Sequence, residues 1–98
     1  MESGKLLLKH SGSGNLDDVK LLLKHPNINI NHADKYRGWT ALTHASEKGH
    51  PECVKLLLKH PNIDVNHAGN DRYTALIYAS LMGKTECVEL LLKHPNIN

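Results

Sequence analysis

Eight of the 98 residues are histidines, and no other residue type here offers as much scope for metal or acid-base chemistry. Their spacing decides what they can do. His25, His60 and His94 recur at intervals of 35 and 34, and His32 and His67 at 35. Imidazoles sharing a zinc ion each need a nitrogen about 2.0–2.1 Å from it. Equivalent side chains in stacked helical units lie about 8–10 Å apart. These ladders therefore suit surfaces and helix ends, where a cation complements the helix dipole, and no metal site is expected. His50 belongs to a Gly-His turn, and His44 should fall on the exposed or half-buried side of a short helix.

The other reactive residue types are dispersed. Gly83 to Thr85 reads Gly-Lys-Thr, like the end of a phosphate loop, but Tyr78 stands where that motif needs its first glycine. The surroundings are also helical, not strand-loop-helix. Ser11 to Asn15, Ser-Gly-Ser-Gly-Asn, has no preceding strand and is expected to form a flexible turn between two helices. Carboxylates are scattered over turns and first helical turns, and no serine or cysteine is set beside a base. Neither catalysis nor a cofactor is expected. Cys53 and Cys87 are 34 residues apart at equivalent places. A disulfide needs Cα atoms within about 7 Å, so both are expected to be buried free thiols, which suits a reducing compartment.

Composition narrows the class further. Twelve Lys and Arg against ten Asp and Glu leave a formal charge of +2, too little for the basic face of a nucleic-acid binder. Leucine triplets such as Leu6 to Leu8 fall far short of the roughly 18 apolar residues of a membrane span. The first residues lack the apolar stretch of a secretory signal. A soluble protein of the cytoplasm is expected, as one domain near the lower size limit for folding without staples.

The elements that must position any site follow from repetition. "VKLLLKHPNI" occurs at Val19 to Ile28 and at Val54 to Ile63, with the near copy "VELLLKHPNI" at Val88 to Ile97. "TALTHAS" at Thr40 to Ser46 returns as "TALIYAS" at Thr74 to Ser80. Thr40 and Thr74 can cap a helix whose small Ala41, Ala45, Ala75 and Ala79 admit a close neighbour. Gly49 and Gly83 end it, and Pro51 suits the first position of the next helix. Cys53, Val54, Leu56, Leu57 and Leu58 form an apolar surface wider than one stripe, so that helix is buried on more than one side and Pro61 stops it. An Asn- and Gly-rich excursion then leads to the next Thr cap. No unit covers its own leucines, so the units must stack.

"GWTALTHASEKGHPECVKLLLKHPNIDVN" resembles an ankyrin repeat, matching at Thr40, Leu42, Ala45, Gly49, His50, Leu57, Leu58, Asp64, Val65 and Asn66. The likeness covers nearly the whole chain. Residues Gly4 to Leu23 resemble an amino-terminal capping repeat, with Leu7, Leu8, Gly14 and Val19 in place. The resemblance implies an all-α solenoid of stacked helix-turn-helix units joined by β-hairpin-like loops. One domain over 1–98 is expected, divided into an N-capping repeat at 1–31 and repeats at 32–65 and 66–98, without a C-capping repeat. Departures stand out. Ala41 and Ala75 replace the usual proline, and Thr43 and Ile77 replace a histidine that orders the turn, which is expected to loosen the hairpins. Arg37 resembles an insertion, and Arg72 stands where glycine is usual.

Function is expected in noncovalent recognition of a protein partner, with no nucleic acid, membrane or cofactor involved. Three of the four aromatic residues, Tyr36, Trp39 and Tyr73, lie in the excursions, and Tyr, Trp and Arg are enriched at binding hot spots. Stacking of Trp39 on Tyr73 to stiffen the hairpins is an equal expectation. By resemblance, hairpin tips and the exposed side of the first helices form a concave binding face. That implies Lys35, Tyr36, Arg37 and Trp39 with Asn70, Asp71, Arg72 and Tyr73 on the hairpins, and Glu47, Lys48, Leu81 and Met82 on the helices. Replacing Trp39 and Tyr73 by alanine should then weaken a partner without loss of helix. The alternative is a structural spacer or scaffold, engineered or excised from a larger array. Leu90, Leu91 and Leu92 should leave an uncovered C-terminal end, giving fraying, weak self-association, or a seat for further repeats.

Overall fold

The computed structural model describes the backbone of residues 2–98 and the side chains of residues 3–98. Six helices follow in chain order: α1 (Glu2–Ser13), α2 (Leu16–Leu23), α3 (Ala41–Lys48), α4 (Pro51–Leu58), α5 (Ala75–Leu81) and α6 (Thr85–Leu92). There is no strand among the described residues. α1, α3 and α5 stack as an inner layer, α2, α4 and α6 as an outer one, and each helix pair packs against itself across its tight turn. The fold is thus an all-α solenoid.

Local chemistry explains the boundaries. The Thr40 hydroxyl accepts the Thr43 backbone N–H at 3.4 Å, and Thr43 Oγ1 accepts the Thr40 N–H at 3.4 Å. This reciprocal box satisfies two donors that a helix start leaves orphaned. Thr74 likewise accepts from the Ile77 N–H at 3.3 Å, but Ile77 has no oxygen to return the bond. Gly49, at φ 77°, closes α3, and Pro51 opens α4. Two expectations need correction. α4 ends at Leu58, three residues before Pro61, in a tighter turn where the Lys59 and His60 N–H groups bond Leu56 O and Leu57 O. Ser11 to Ser13 continue α1, leaving only Gly14 and Asn15 as the turn. Ser11 is fully buried there, and His50 Nε2 donates to Gly12 O at 3.1 Å, fixing that stretch against the turn between α3 and α4.

The core runs the length of the stack: Leu7 and Val19 in the first unit, Leu42, Ala45, Val54 and Leu57 in the second, and Ala79 and Leu91 in the third. Each fully buried leucine or valine contributes about 1.5–3 kcal/mol. Ala45 and Ala79 have no exposed surface, and side chains this small let the inner helices approach. Cys53 and Cys87 are buried and free. Burial, reinforced by Glu52 and Glu86 respectively, pushes both thiols up from their ordinary pKa.

Outside the helices, asparagine stitches the units together. The Asn31 side chain donates to Asn62 O at 2.8 Å and accepts from the Asp64 N–H at 2.9 Å. Asn66 repeats the clamp one unit on, donating to Asn96 O at 2.7 Å and accepting from the Asn98 N–H at 3.0 Å. The two ends of the stack differ. At the places of the buried Ala45 and Cys53, the first unit carries His10 and Asp18, which face each other at 3.5 Å. At the other end Ile77, Leu81 and Leu92 are 37%, 64% and 56% exposed, whereas the equivalent Thr43 is buried.

Candidate functional site

Two excursions from the stack carry the candidate residues, and each closes on a backbone bond. Asp34 N–H donates to Trp39 O at 2.9 Å, and Gly69 N–H to Tyr73 O at 3.0 Å. In the first hairpin Asp34 Oδ1 accepts the N–H groups of Tyr36, Arg37 and Gly38 at 3.1, 2.7 and 3.0 Å. Its Oδ2 accepts from His44 Nε2 at 3.0 Å. Burial pushes the Asp34 carboxyl up, but these hydrogen bonds and the His44 ring outweigh it and hold the group below its ordinary pKa. One carboxylate therefore does the ordering that was expected to be lost with the turn histidine.

The second hairpin is one residue shorter, as the insertion at Arg37 implies, and it is held differently. Asp71 Oδ1 accepts the Tyr73 N–H at 3.0 Å, and its Oδ2 accepts the Tyr78 hydroxyl. Arg72, at φ 70°, takes the left-handed position that Gly38 fills at φ 71° in the first hairpin. A side chain with a Cβ is strained there by about 1–2 kcal/mol.

Neighbouring hairpins are joined. Asn70 N–H donates to Arg37 O at 2.8 Å, and its side-chain amide donates to Tyr36 O at 3.1 Å. His67 Nε2 donates to Gly38 O at 2.8 Å. With these bonds the backbone at both tips has partners without drawing on the side chains of Lys35, Tyr36, Arg37 or Arg72. All four are exposed, Tyr36 by 91%, as are Asn70, Asp71 and Tyr73.

Trp39 departs from expectation. It is 4% exposed and so is not an anchor available to a partner. Its ring lies 4.5 Å from that of Tyr78 and 5.0 Å from His44, with the Arg37 guanidinium 4.8 Å above it. Tyr78 also meets Tyr73 at 5.6 Å, so Trp39 and Tyr73 do not stack directly: Tyr78 stands between them. Sequence reasoning missed Tyr78. The available signal was that Thr74 to Ser80 repeats Thr40 to Ser46 with Tyr78 in place of His44, the side chain that faces the hairpin.

The helical candidates are set apart. Glu47 is half-buried and Lys48, Leu81 and Met82 are exposed, all at the C-terminal ends of α3 and α5. The hairpins join the N-terminal ends, so at 1.5 Å per residue about 10 Å of helix separates the two groups. Nearer the tips lies a cleft of about 410 Å³ between α1 and the first hairpin, lined by Lys5, Leu8, His32, Asp34, Lys35 and Tyr36. None of Lys5, Leu8 and His32 was expected in a binding site: α1, which carries the first two, lacks the Thr-Ala-Leu block by which units can be aligned, and His32 reads only as one of a surface pair with His67. Among the described residues no group of three or more His, Cys, Asp or Glu is gathered as metal ligands.

A family model described as ankyrin repeats, in three copies, matches residues 6–98, and its extent coincides with the stacked units just described. The chain belongs to the ankyrin-repeat family. Ankyrin repeats are in general non-enzymatic modules of protein–protein interaction. A comparison with curated proteins gave no match. No helix among the described residues of this ankyrin stack is long and apolar enough to cross a membrane.

Proposed function

We propose that this ankyrin stack recognises a protein partner through its two hairpin tips and the adjoining face of the inner helices, without catalysis. The observation that carries the proposal is the pair of bonds from Asn70 to Tyr36 O and Arg37 O. They join two exposed tips into one row in which Lys35, Tyr36 and Arg37 stand beside Asn70, Asp71, Arg72 and Tyr73. A surface ordered before binding loses little entropy on complex formation. Tyr and Arg supply anchors, and the mixed charges select among partners. Glu47, Lys48, Leu81 and Met82 extend the footprint along the inner layer.

Photo-crosslinking tests this. A benzoylphenylalanine replacing Tyr36 should capture a protein from cell extract, and the capture should fall when Arg72 and Tyr73 are changed to alanine. The same probe replacing the exposed Lys55 of the outer layer should capture none. Equal capture from both faces would refute the assignment.

The exposure of Ile77, Leu81 and Leu92 favours a second proposal, that the C-terminal unit associates with a second copy of the chain. The first unit exposes Leu6 and Leu21 beside its His10 and Asp18, so the interface is assigned to the C-terminal unit on Ile77, Leu81 and Leu92 alone. Sedimentation velocity should show mass rising with concentration and the rise abolished by Leu81→Glu with Leu92→Glu. A monomer throughout would end this second proposal and leave the first untouched.

A further inference from the structure

The +2 formal charge is unevenly distributed. In and beside the outer helices Lys20, Lys24, Lys55, Lys59, Lys84 and Lys93 are matched in number by Asp17, Asp18, Glu52, Asp64, Glu86 and Glu89. The inner helices and hairpins carry Lys5, Lys9, Lys35, Arg37, Lys48 and Arg72 against only four carboxylates. Two of those four are already engaged. Asp34 receives three backbone N–H groups and His44, and Asp71 receives the Tyr73 N–H and the Tyr78 hydroxyl. Among the described residues no Lys or Arg on this side forms a salt bridge; the ion pairs formed are His10–Asp18 and His44–Asp34. Exposed cations without an ion-pair partner are therefore present on the inner helices and hairpins, the elements proposed to meet a partner.

Two of these cations border a cavity. The cleft of about 410 Å³ between α1 and the first hairpin is flanked by Lys5 and Lys35, with the His32 ring packed over Gly4 at its side. A Cβ on Gly4 would lie 2.9 Å from His32 Cγ, so glycine at this position is what lets the imidazole close down on α1. Leu8 and the Tyr36 ring supply apolar walls. Asp34 also lines the cleft and is an anion there, but its oxygens are turned to the three hairpin N–H groups and His44, and Lys5 and Lys35 outnumber it. The arrangement combines two cationic arms with an apolar wall, and its complement carries a carboxylate beside an aliphatic side chain.

We infer that the cleft of Lys5, Leu8, His32, Lys35 and Tyr36 receives an acidic, extended segment of the partner, in which glutamate or aspartate alternates with aliphatic residues. The carboxylates meet Lys5 and Lys35, and the aliphatic side chain lies against Leu8 and Tyr36. This rests on the proposal that the hairpin and inner-helix side is the recognition surface, and it adds the chemistry of what is recognised.

The test is an NMR titration of the isotope-labelled chain with a capped peptide of alternating glutamate and leucine, compared with its lysine-leucine counterpart. The glutamate peptide should saturate in the millimolar range with shifts at Lys5, Leu8, His32, Lys35 and Tyr36. Lys5→Glu with Lys35→Glu, both at exposed positions, should weaken it about tenfold and make the cleft accept the lysine peptide instead. Three outcomes overturn the inference: no shift at the cleft, equal binding of both peptides, or glutamate-peptide affinity unchanged in the double variant. If the lysine peptide occupies the cleft in the unaltered chain, the acidic assignment fails and the recognition surface stands. If both peptides shift only Ile77 and Leu92, the recognition surface fails as well.

Discussion

The two hairpins begin from nearly the same repeat and solve one problem in different ways. In the first, Asp34 gathers three backbone N–H groups, Gly38 takes the left-handed corner and Trp39 is buried at the root. In the second, Asp71 serves only the Tyr73 N–H and the Tyr78 hydroxyl, Arg72 bears the left-handed corner, and Tyr73 is 42% exposed. The difference teaches that the first hairpin is anchored into the stack, whereas the second leans on it through Tyr78 and Asn70. Stability is thereby concentrated at the root of one hairpin, and exposed side chains at the tips of both.

The largest effect should separate the roots. Trp39→Ala empties a buried site and should cost about 3–5 kcal/mol, a large part of the 5–15 kcal/mol typical of a whole domain. Tyr73→Ala should cost about 1 kcal/mol. Urea unfolding of the two variants measures both, and similar losses would erase the distinction. The Trp39 and Tyr73 pair is for this reason a poor test of binding, since its first member supports the fold.

Next in size is the carboxylate. Asp34→Ala leaves three hairpin N–H groups without their acceptor and should cost about 2 kcal/mol, against less for the exposed Asp71→Ala. Titration gives the same contrast a sign. The folded-state pKa of Asp34 is depressed, so its contribution is complete above the ordinary carboxyl value of about 3.9. It is lost as pH falls through the lower folded value. Unfolding measured from neutral to acidic pH should show this decline in the unaltered chain, and Asp34→Asn should remove that part of it.

The smallest change should be a gain. Arg72→Gly relieves a left-handed residue and should stabilise the chain by about 1 kcal/mol. Gly38→Ala should lose at least as much, because the strained backbone is joined by a Cβ placed 2.7 Å from Asn70 Oδ1. If Arg72→Gly destabilises, the corner is held by contacts of the Arg72 side chain, and the two corners are not equivalent.

Much of this was legible in the sequence wherever a residue repeated in register. The Thr40 and Thr74 caps, the Gly49 turn, Pro51 at a helix start and the burial of Cys53 and Leu57 follow from local chemistry and periodicity. Leu91, by contrast, was expected at an uncovered end and is fully buried, because its side chain turns inward to the core of the stack and, of Leu90 to Leu92, only Leu92 is left exposed. The insertion at Arg37 and the glycine-like place of Arg72 were visible by aligning one unit on the next. Legibility stopped where neighbouring units cooperate. Nothing in the spacing of Trp39 says that Tyr78, from the following unit, covers it. Likewise α1 offers no aligned block to reveal that Lys5 and Leu8 meet His32 across a cleft. The continuation of α1 through Gly12 depends on His50, 38 residues away, and overrides the turn propensity of a Ser-Gly-Ser-Gly sequence.

The central claim is that the tips are ordered before any partner arrives, and backbone nitrogen relaxation of the free chain tests it most directly. Lys35 to Arg37 and Asn70 to Arg72 should give order parameters near the rigid value of about 0.85, close to those of α3 and α5. Values below about 0.6 at either tip would mean that the bonds of Asp34 and Asn70 do not hold the hairpins, and would contradict a preformed recognition surface.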